Sequence, residues 1–421
     1  MDLSARAVRL QSYEDELVKR YGTPSYVFFE EDIRQNYRDL RNSLNRHYPD
    51  SQIYFAVKSN FLLGVLSILR DEGCGAEAYA RGELQAALTA GFNSEDILLT
   101  GLNRREADLE QAFETGVPRY LIDNTQELQR VATAAEHADT TADVLIRVNP
   151  AMEVPTHPEV ATATRESKFG LDIASGKAMD VARDVCEQEM LNLVGVQLHV
   201  GSQVRGVEPY RVAARELIGF ASRVQKETGT EISVLDLGGG FPVPYDESVV
   251  DSEEIIAAFS ETIKSEVEEY GLSRPTVFVE PGRRLIGNAG TLVAEVGVIK
   301  ATPETQFAVL DAGTNAVSSY WPYPIYSLTE GAATESYDVA GPLCYTGDVI
   351  QEDVSLPELS VGDKIAVDRI GAYSLGSASH TNAEPKPGVV LVREDGSLEE
   401  LRPQETPKDV FGNNQIPSDL Q

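Results

Sequence analysis

The amino-acid sequence predicts an α/β protein: a closed (β/α)8 TIM barrel followed by an all-β domain that an N-terminal strand joins. Two observations carry this. From residue 50 to about 282, short β-branched or aromatic runs alternate with longer stretches of helical periodicity, the pattern of a parallel sheet with crossover helices. After Gly282 the helical period stops, and strand-like runs follow one another between Gly, Pro and Asp.

Eight runs read as barrel strands, beginning at Gln52, Gly75, Asp96, Arg119, Asp143, Leu193, Val234 and Thr276. Between them Phe61–Asp71, Arg81–Ala90, Asn124–His137, Pro209–Glu227 and Ser252–Tyr270 repeat apolar residues every three or four positions, as helices do. Eight strands over a length near the usual ~250 residues favour a closed barrel; an open doubly wound sheet is the alternative. The runs GTLVAEVGVIKA, FAVLDAG, SYDVAGP, DKIAVDRIGAY and PGVVLVRE predict antiparallel strands. SYVFFEEDI, from Ser25, reads as a further strand able to pair with them. The expected division is 1–30 as a segment packing with the β domain, 31–285 as the barrel, 286–402 as the β domain and 403–421 as a flexible, polar tail.

With 36 Lys plus Arg against 67 Asp plus Glu, the 421 residues carry a net charge of −31, which argues against a nucleic-acid partner: phosphate binding needs a basic stripe. Only 10 of the basic residues are Lys, and the acid excess is spread along the chain, the surface of a halophilic protein kept soluble where salt shortens the screening length. The three cysteines, Cys74, Cys186 and Cys344, are too scattered for a disulfide framework or a zinc site, so no metal is expected. Cys74 and Cys186 read as small buried hydrophobes. The N-terminus lacks a signal-peptide core and no window reaches the roughly 18 apolar residues of a membrane span, so the expected location is the cytoplasm, with no membrane partner.

In a barrel, chemistry belongs at the C-terminal ends of the strands. Lys58 ends the first, His199 with Gly201 and Ser202 the sixth, Gly238, Gly239 and Gly240 the seventh, and Glu280 with Gly282 and Arg283 the eighth. Lys58 follows the buried run YFAV, where a less solvated amine would be nucleophilic; a solvated surface Lys is the plainer reading. Three consecutive glycines make a tight turn or let backbone N–H groups approach a phosphate. A Schiff-base Lys, a phosphate cradle, a His able to stack on a ring and a carboxylate able to pair with a pyridinium nitrogen together point to pyridoxal 5'-phosphate.

At these residues the chain resembles the fold-type III pyridoxal-phosphate decarboxylases, the family of diaminopimelate and ornithine decarboxylases. The matching stretches are YFAVKSN, RVNP, THPEVATA, SKFGLD, HVGSQ, LDLGGGFP, EPGR, DAGTN, GPLC with GD, and GAY, in order from Tyr54 to Tyr373. THP and SKFG resemble the diaminopimelate branch more than the ornithine branch. The resemblance implies that Lys58 holds the cofactor covalently, that His199 stacks on its ring, that Ser202, Gly238, Gly239, Gly240, Gly282 and Arg283 take its phosphate end, and that Glu280 keeps the pyridine nitrogen protonated. A carboxylate at that nitrogen favours decarboxylation over racemisation. It also implies a homodimer with shared active sites, in which Cys344 protonates the carbanion and Tyr373 contacts phosphate or substrate. Asp348 would be a substrate contact or a turn residue. Arg147, His157 and Glu77 would stand behind the cofactor, with Arg147 either in an ion pair with Glu77 or in direct contact with the cofactor.

The chain departs from the family at the substrate's distal end. Diaminopimelate decarboxylases follow their DAG motif with an Arg-Pro pair and place a Glu after the Cys; here Ser319 and Tyr320 stand near the Arg position, Tyr345 replaces the Glu, and 301–363 contains no Lys or Arg. That segment offers no guanidinium fork to a distal carboxylate. The aromatic cluster of Tyr320, Trp321, Tyr323 and Tyr326 would line the substrate pocket or pack the β domain. The resemblance therefore implies an amino-acid decarboxylase, with meso-diaminopimelate giving L-lysine as the named reaction. A different diamino acid or a conjugated, siderophore-type amino acid is the alternative substrate. A racemase or an inactive regulatory homologue is the alternative protein.

Overall fold

The computed structural model describes residues 3–152, 162–245, 249–318, 320–329 and 331–420. His157 and Ser319 lie outside them. The chain divides into two compact units, one of Ile33–Pro244 with Ser248–Leu285, the other of Met1–Asp32, Tyr245–Glu247 and Ile286–Gln421.

The first unit is the closed barrel. Its parallel strands are Ser51–Ala56, Gly75–Ala78, Ile97–Leu99, Arg119–Ile122, Ala142–Asn149, Leu191–Gln197, Val234–Asp236 and Thr276–Val279. Each pairs with its neighbour in chain order, and Thr276–Val279 closes the ring on Ser51–Ala56. Inside, Tyr54, Leu98, Leu121, Leu145 and Phe278 form one buried cluster, the packed core of the barrel, of which Leu121 also borders a cavity. The helices form where the apolar spacing places them, including Leu63–Asp71, Thr125–Ala138 and Ser252–Tyr270. Asn124 caps the second by accepting from Glu127 N, and Asp251 caps the third by accepting from Glu253 N.

The second unit is built on a mixed sheet in the order Val349–Leu356, Glu335–Ala340, Gln306–Leu310, Gly290–Ala301, Ser25–Phe29, Gly388–Val392, Leu398–Arg402. Ser25–Phe29 is buried throughout because it is central, antiparallel to Gly290–Ala301 and parallel to Gly388–Val392. Gln306–Leu310 also pairs in parallel with Glu335–Ala340, so the purely antiparallel expectation does not hold. Nor is the unit all β. A 19-residue helix, Leu3–Tyr21, lays Leu10 and Leu17 on Val27, Phe29, Val293, Val390 and Val392. Its Leu10, Tyr13, Leu17 and Tyr21 are spaced by three, four and four, a signal present in the sequence but not used. In the tail, where no structure was expected, Thr406 and Asp409 form a capping box around the short helix Pro407–Phe411.

Candidate active site

Lys58, His199 and Glu280, assigned from three different strand ends, line one cavity of about 270 Å³. Glu77, Tyr79, Thr100, Arg147, Thr162, Lys168, Phe169 and Gln197 complete much of its wall. The size approaches the lower end of small-ligand pockets.

Each group is placed by local sequence. After Ala56 the strand breaks into a single 3-10 turn, Val57–Ser59, which carries Lys58. Ser59 Oγ donates to Ala56 O at 2.7 Å and Asn60 Oδ1 accepts from Leu62 N at 3.0 Å, so the two residues after the Lys lock the turn that presents it. Lys58 Nζ donates to Glu77 Oε2 at 2.5 Å, and Thr100 Oγ1 donates to Glu77 Oε1. Glu77, 1% exposed at the end of the second strand, is thus Lys58's partner rather than Arg147's. Arg147 instead faces Asp123 at 3.7 Å and lies over the Phe169 ring at 4.6 Å.

His199 is half-buried in the cavity wall, and its Nδ1 accepts from Gly239 N–H at 3.0 Å, which leaves the proton on Nε2 of a neutral ring. Burial, Arg147 and Lys58 all hold its pKa well below the ordinary imidazole range. Thr162 Oγ1 donates to His199 O at 2.7 Å.

The glycine triplet does something the sequence reading did not foresee. Gly238 N–H donates to Asp236 Oδ1 at 2.8 Å and Gly239 N–H to His199, so these two amides orient protein side chains instead of standing open to a phosphate. A Cβ at Gly239 would lie 2.4 Å from Glu280 O, so only glycine lets the seventh strand end pass this close to the eighth. Ser202 and Arg283 do come together: Arg283 Nε and Nη2 each stand 3.3 Å from Ser202 Oγ. A Cβ at Gly282 would stand 3.0 Å from Ser59.

Glu280 is 6% exposed, and Gln197 Nε2 donates to its Oε2 at 3.2 Å, whereas its Oε1 is buried without a donor. Burial raises its pKa well above the ordinary carboxylate range, and Asp236 and Glu77 raise it further. Such an orphan acceptor in a cavity wall fits a ligand carrying an N–H, as a protonated pyridine nitrogen does. An amine, a neutral imidazole, an orphan carboxyl and an Arg–Ser pair together fit pyridoxal phosphate. Asp236 and Gln197 were not singled out from the sequence. Asp236 stood in view in LDLGGG, one residue before the glycines, and only its depth hid its role.

The β-rich unit answers differently. Asp348 is buried, and its carboxylate accepts from Leu343 N at 2.7 Å, Thr314 N at 2.7 Å and Thr314 Oγ1 at 2.8 Å. It therefore organises a loop, the turn reading rather than the substrate contact. Tyr326 packs against the core of Leu10, Leu17 and Val293, and burial raises its hydroxyl pKa. Its side chain, partly buried, packs this unit. Trp321 stacks on Tyr245 at 5.6 Å and Tyr323 meets the same ring edge-on at 5.3 Å. Tyr320 is 64% exposed, Tyr345 and Cys344 are exposed, and Tyr345 OH is in hydrogen-bonding contact with Thr314 Oγ1. Tyr373 has left-handed backbone, φ 68°, a strained conformation for a bulky residue. Among the other cysteines Cys74 is buried, but Cys186 is exposed beside Thr230, against expectation. Among the described residues no helix is long and apolar enough to cross a membrane, and no His, Cys, Asp and Glu cluster could hold a metal.

Residues 30–287 match the family model for the pyridoxal binding domain of pyridoxal-dependent decarboxylases. The chain is 36% identical over 413 residues to diaminopimelate decarboxylase of Methanothermobacter thermautotrophicus, covering 96% of this chain and 94% of that one. Against diaminopimelate decarboxylase of Pseudomonas aeruginosa it is 34% identical over 407 residues, covering 95% and 94%. In structure it is similar to diaminopimelate decarboxylase from M. jannaschii solved with L-lysine, with a TM-score of 0.89 at 31% identity over 96% and 95% of the two chains.

Proposed function

The chain belongs to the pyridoxal-dependent decarboxylases, and from that premise we propose that it converts meso-diaminopimelate to L-lysine and CO2. The observation that carries this is the convergence of Lys58, His199 and Glu280 on one cavity in a chain whose relatives of nearly equal length are diaminopimelate decarboxylases. Bound pyridoxal phosphate supplies an electron sink for the pair that the departing carboxylate leaves behind.

The chain's own residues prepare the site. Lys58 Nζ is the amine that would hold the cofactor, and Glu77 Oε2 is the base placed to draw a proton from that nitrogen. The neutral His199 ring would give the pyridine a face without charge, and Gly239 fixes which imidazole nitrogen carries the proton. Glu280 Oε1 would accept from the pyridine nitrogen, while Ser202, Gly240, Gly282 and Arg283 would take the phosphate end. Cys344, exposed on the β-rich unit, would return a proton to the substrate's α-carbon from the partner subunit of a homodimer, with Tyr373 beside it. Tyr320 and Tyr345 would read the substrate's distal end. The Lys-poor, acidic composition supports a halophilic setting, and the three scattered cysteines a reducing, cytoplasmic one.

The test is a mass-spectrometric assay of purified protein with pyridoxal phosphate, meso-diaminopimelate and molar KCl. Lysine formation is expected. Protein that binds the cofactor yet yields no lysine would overturn the assignment. It would favour the second reading, a diamino or conjugated amino acid without a distal carboxylate, which the absence of Lys and Arg from 301–363 supports.

A further inference from the structure

Asp236 and Glu280 end neighbouring strands of the barrel, and their carboxyl groups are in hydrogen-bonding contact with each other. Asp236 is 0% exposed and Glu280 6%. Asp236 Oδ1 is held by Gly238 N–H and Glu280 Oε2 by Gln197 Nε2, so each carboxyl has one oxygen with a protein donor. The other two oxygens, Asp236 Oδ2 and Glu280 Oε1, are both buried with no donor at all. Two acceptors cannot bond to each other without a proton, and two adjacent buried carboxylates repel. The charges around the pair do not cancel it: Glu77 faces both members, Lys58 faces Glu280, and Arg147 faces Asp236.

We propose that Asp236 and Glu280 hold one proton between them in the cofactor-free barrel, and that Asp236 is the positioning residue that sets the charge and orientation Glu280 presents to the cofactor's ring nitrogen. Burial agrees with this, lifting Asp236 to about 6 although its hydrogen bond with Glu280 draws it down, while burial and then Asp236 hold Glu280 well above the ordinary carboxylate range. The role toward the ring nitrogen rests on the decarboxylase reading; the shared proton does not, because it is a property of the two carboxyls alone.

Infrared difference spectroscopy of cofactor-free protein in D2O at pH 7 tests the pair. The wild type should show a protonated-carboxyl C=O band that both Asp236→Asn and Glu280→Gln remove, with the double variant losing no more than either single. If the band survives Asp236→Asn and vanishes only in Glu280→Gln, the proton belongs to Glu280 alone and the proposal falls. Asn at 236 keeps an oxygen for Gly238 N–H and supplies an N–H to Glu280, so this variant should fold. Should it not, the same band followed in wild type from pH 5 to 8 decides: one proton lost for two carboxyls supports the pair, and two independent losses overturn it. The role toward the cofactor is read from affinity. Asp236→Asn should weaken pyridoxal phosphate binding by about tenfold and shift the pH at which the bound cofactor's absorbance titrates. An unchanged titration would leave Asp236 merely structural and overturn that half. Neither readout depends on which amino acid is decarboxylated, so a failed lysine assay and a failed pair are distinguishable.

Discussion

Two buried carboxyls, one in each unit, show what separates a site from a scaffold. Glu280 in the barrel is 6% exposed with an oxygen that no donor reaches; Asp348 in the β-rich unit is 4% exposed with three donors closing on it. Both appear in the sequence as an acidic residue within two positions of a glycine. The folded chain spends Asp348 on its own backbone and leaves Glu280 available. Leaving a buried polar atom without a partner costs on the order of 1–3 kcal/mol, so a native structure tolerates it chiefly where a ligand completes the set.

The comparison predicts opposite signatures for substitution in the two units. The largest effect falls on the barrel's amine. Lys58→Arg, which keeps a cation for Glu77, should lower kcat by about three orders of magnitude or more while leaving the melting temperature near wild type, because Lys58 is at the cavity wall and not in the packed cluster of Tyr54 and Phe278. A steady-state assay with a parallel melt separates the two; turnover within tenfold of wild type would remove Lys58 from the chemistry.

Next in size is the scaffold carboxylate. Asp348→Ala strands Leu343 N, Thr314 N and Thr314 Oγ1 at once, a loss of about 3 kcal/mol in a chemical melt. Glu280→Gln should do the reverse in cofactor-free protein. The folded pKa of the Asp236 and Glu280 groups lies above the unfolded carboxylate value, so the native state keeps a proton the unfolded state gives up. Their contribution is present below about pH 4 and is lost as pH rises through about 6. Melted at pH 7, Glu280→Gln should match or exceed wild type, with the difference gone near pH 4. A destabilised variant at pH 7 would place Glu280 with Asp348 as scaffold.

His199 gives the opposite limb. Its folded pKa is depressed, so the unfolded state takes up the extra proton below the ordinary imidazole value near 6.5, and stability falls as pH drops through that range. Wild-type apo-protein should lose about 1.4 kcal/mol for each pH unit below 6.5 from this group, a slope that His199→Asn flattens. Asn retains an oxygen to accept from Gly239 N–H, so a change in slope without a change at pH 8 isolates the titration.

The units also differ in how far sequence reasoning reached. All eight barrel strands were legible because each is a short apolar run bounded by turn residues, and Lys58, His199 and Glu280 were legible because strand ends of a barrel share one face. Asp236 and Gln197 were not, since their role is a contact between neighbouring strands that no period within one strand encodes. The glycines carry a related ambiguity: a triplet fitting a phosphate also fits two strand ends that must touch, and the distance from Gly239 to Glu280 O shows that these do. In the second unit the helix Leu3–Tyr21 carried its period openly, but Tyr326 could not be told from a pocket residue. Aromatic side chains with a hydroxyl look alike whether they face a ligand or a core.

Tyr320 and Tyr345 test the remaining half of that ambiguity, and here the expected effect is smallest. Both are exposed on the β-rich unit, and exposed substitutions usually move stability by less than about 0.5 kcal/mol. If they read the substrate's distal end, Tyr320→Ala and Tyr345→Phe should raise KM for meso-diaminopimelate several-fold with little change in kcat, the mark of binding shared by ground and transition states. Tyr345→Phe also cuts the link from Tyr345 OH through Thr314 Oγ1 to Asp348, so its KM effect should exceed its effect on melting only if the hydroxyl meets substrate. A melt shift with unchanged KM would assign Tyr345 to the loop that Asp348 ties. Unchanged KM in both variants would place distal recognition outside the aromatic segment, in a chain whose 301–363 region has no cation to offer.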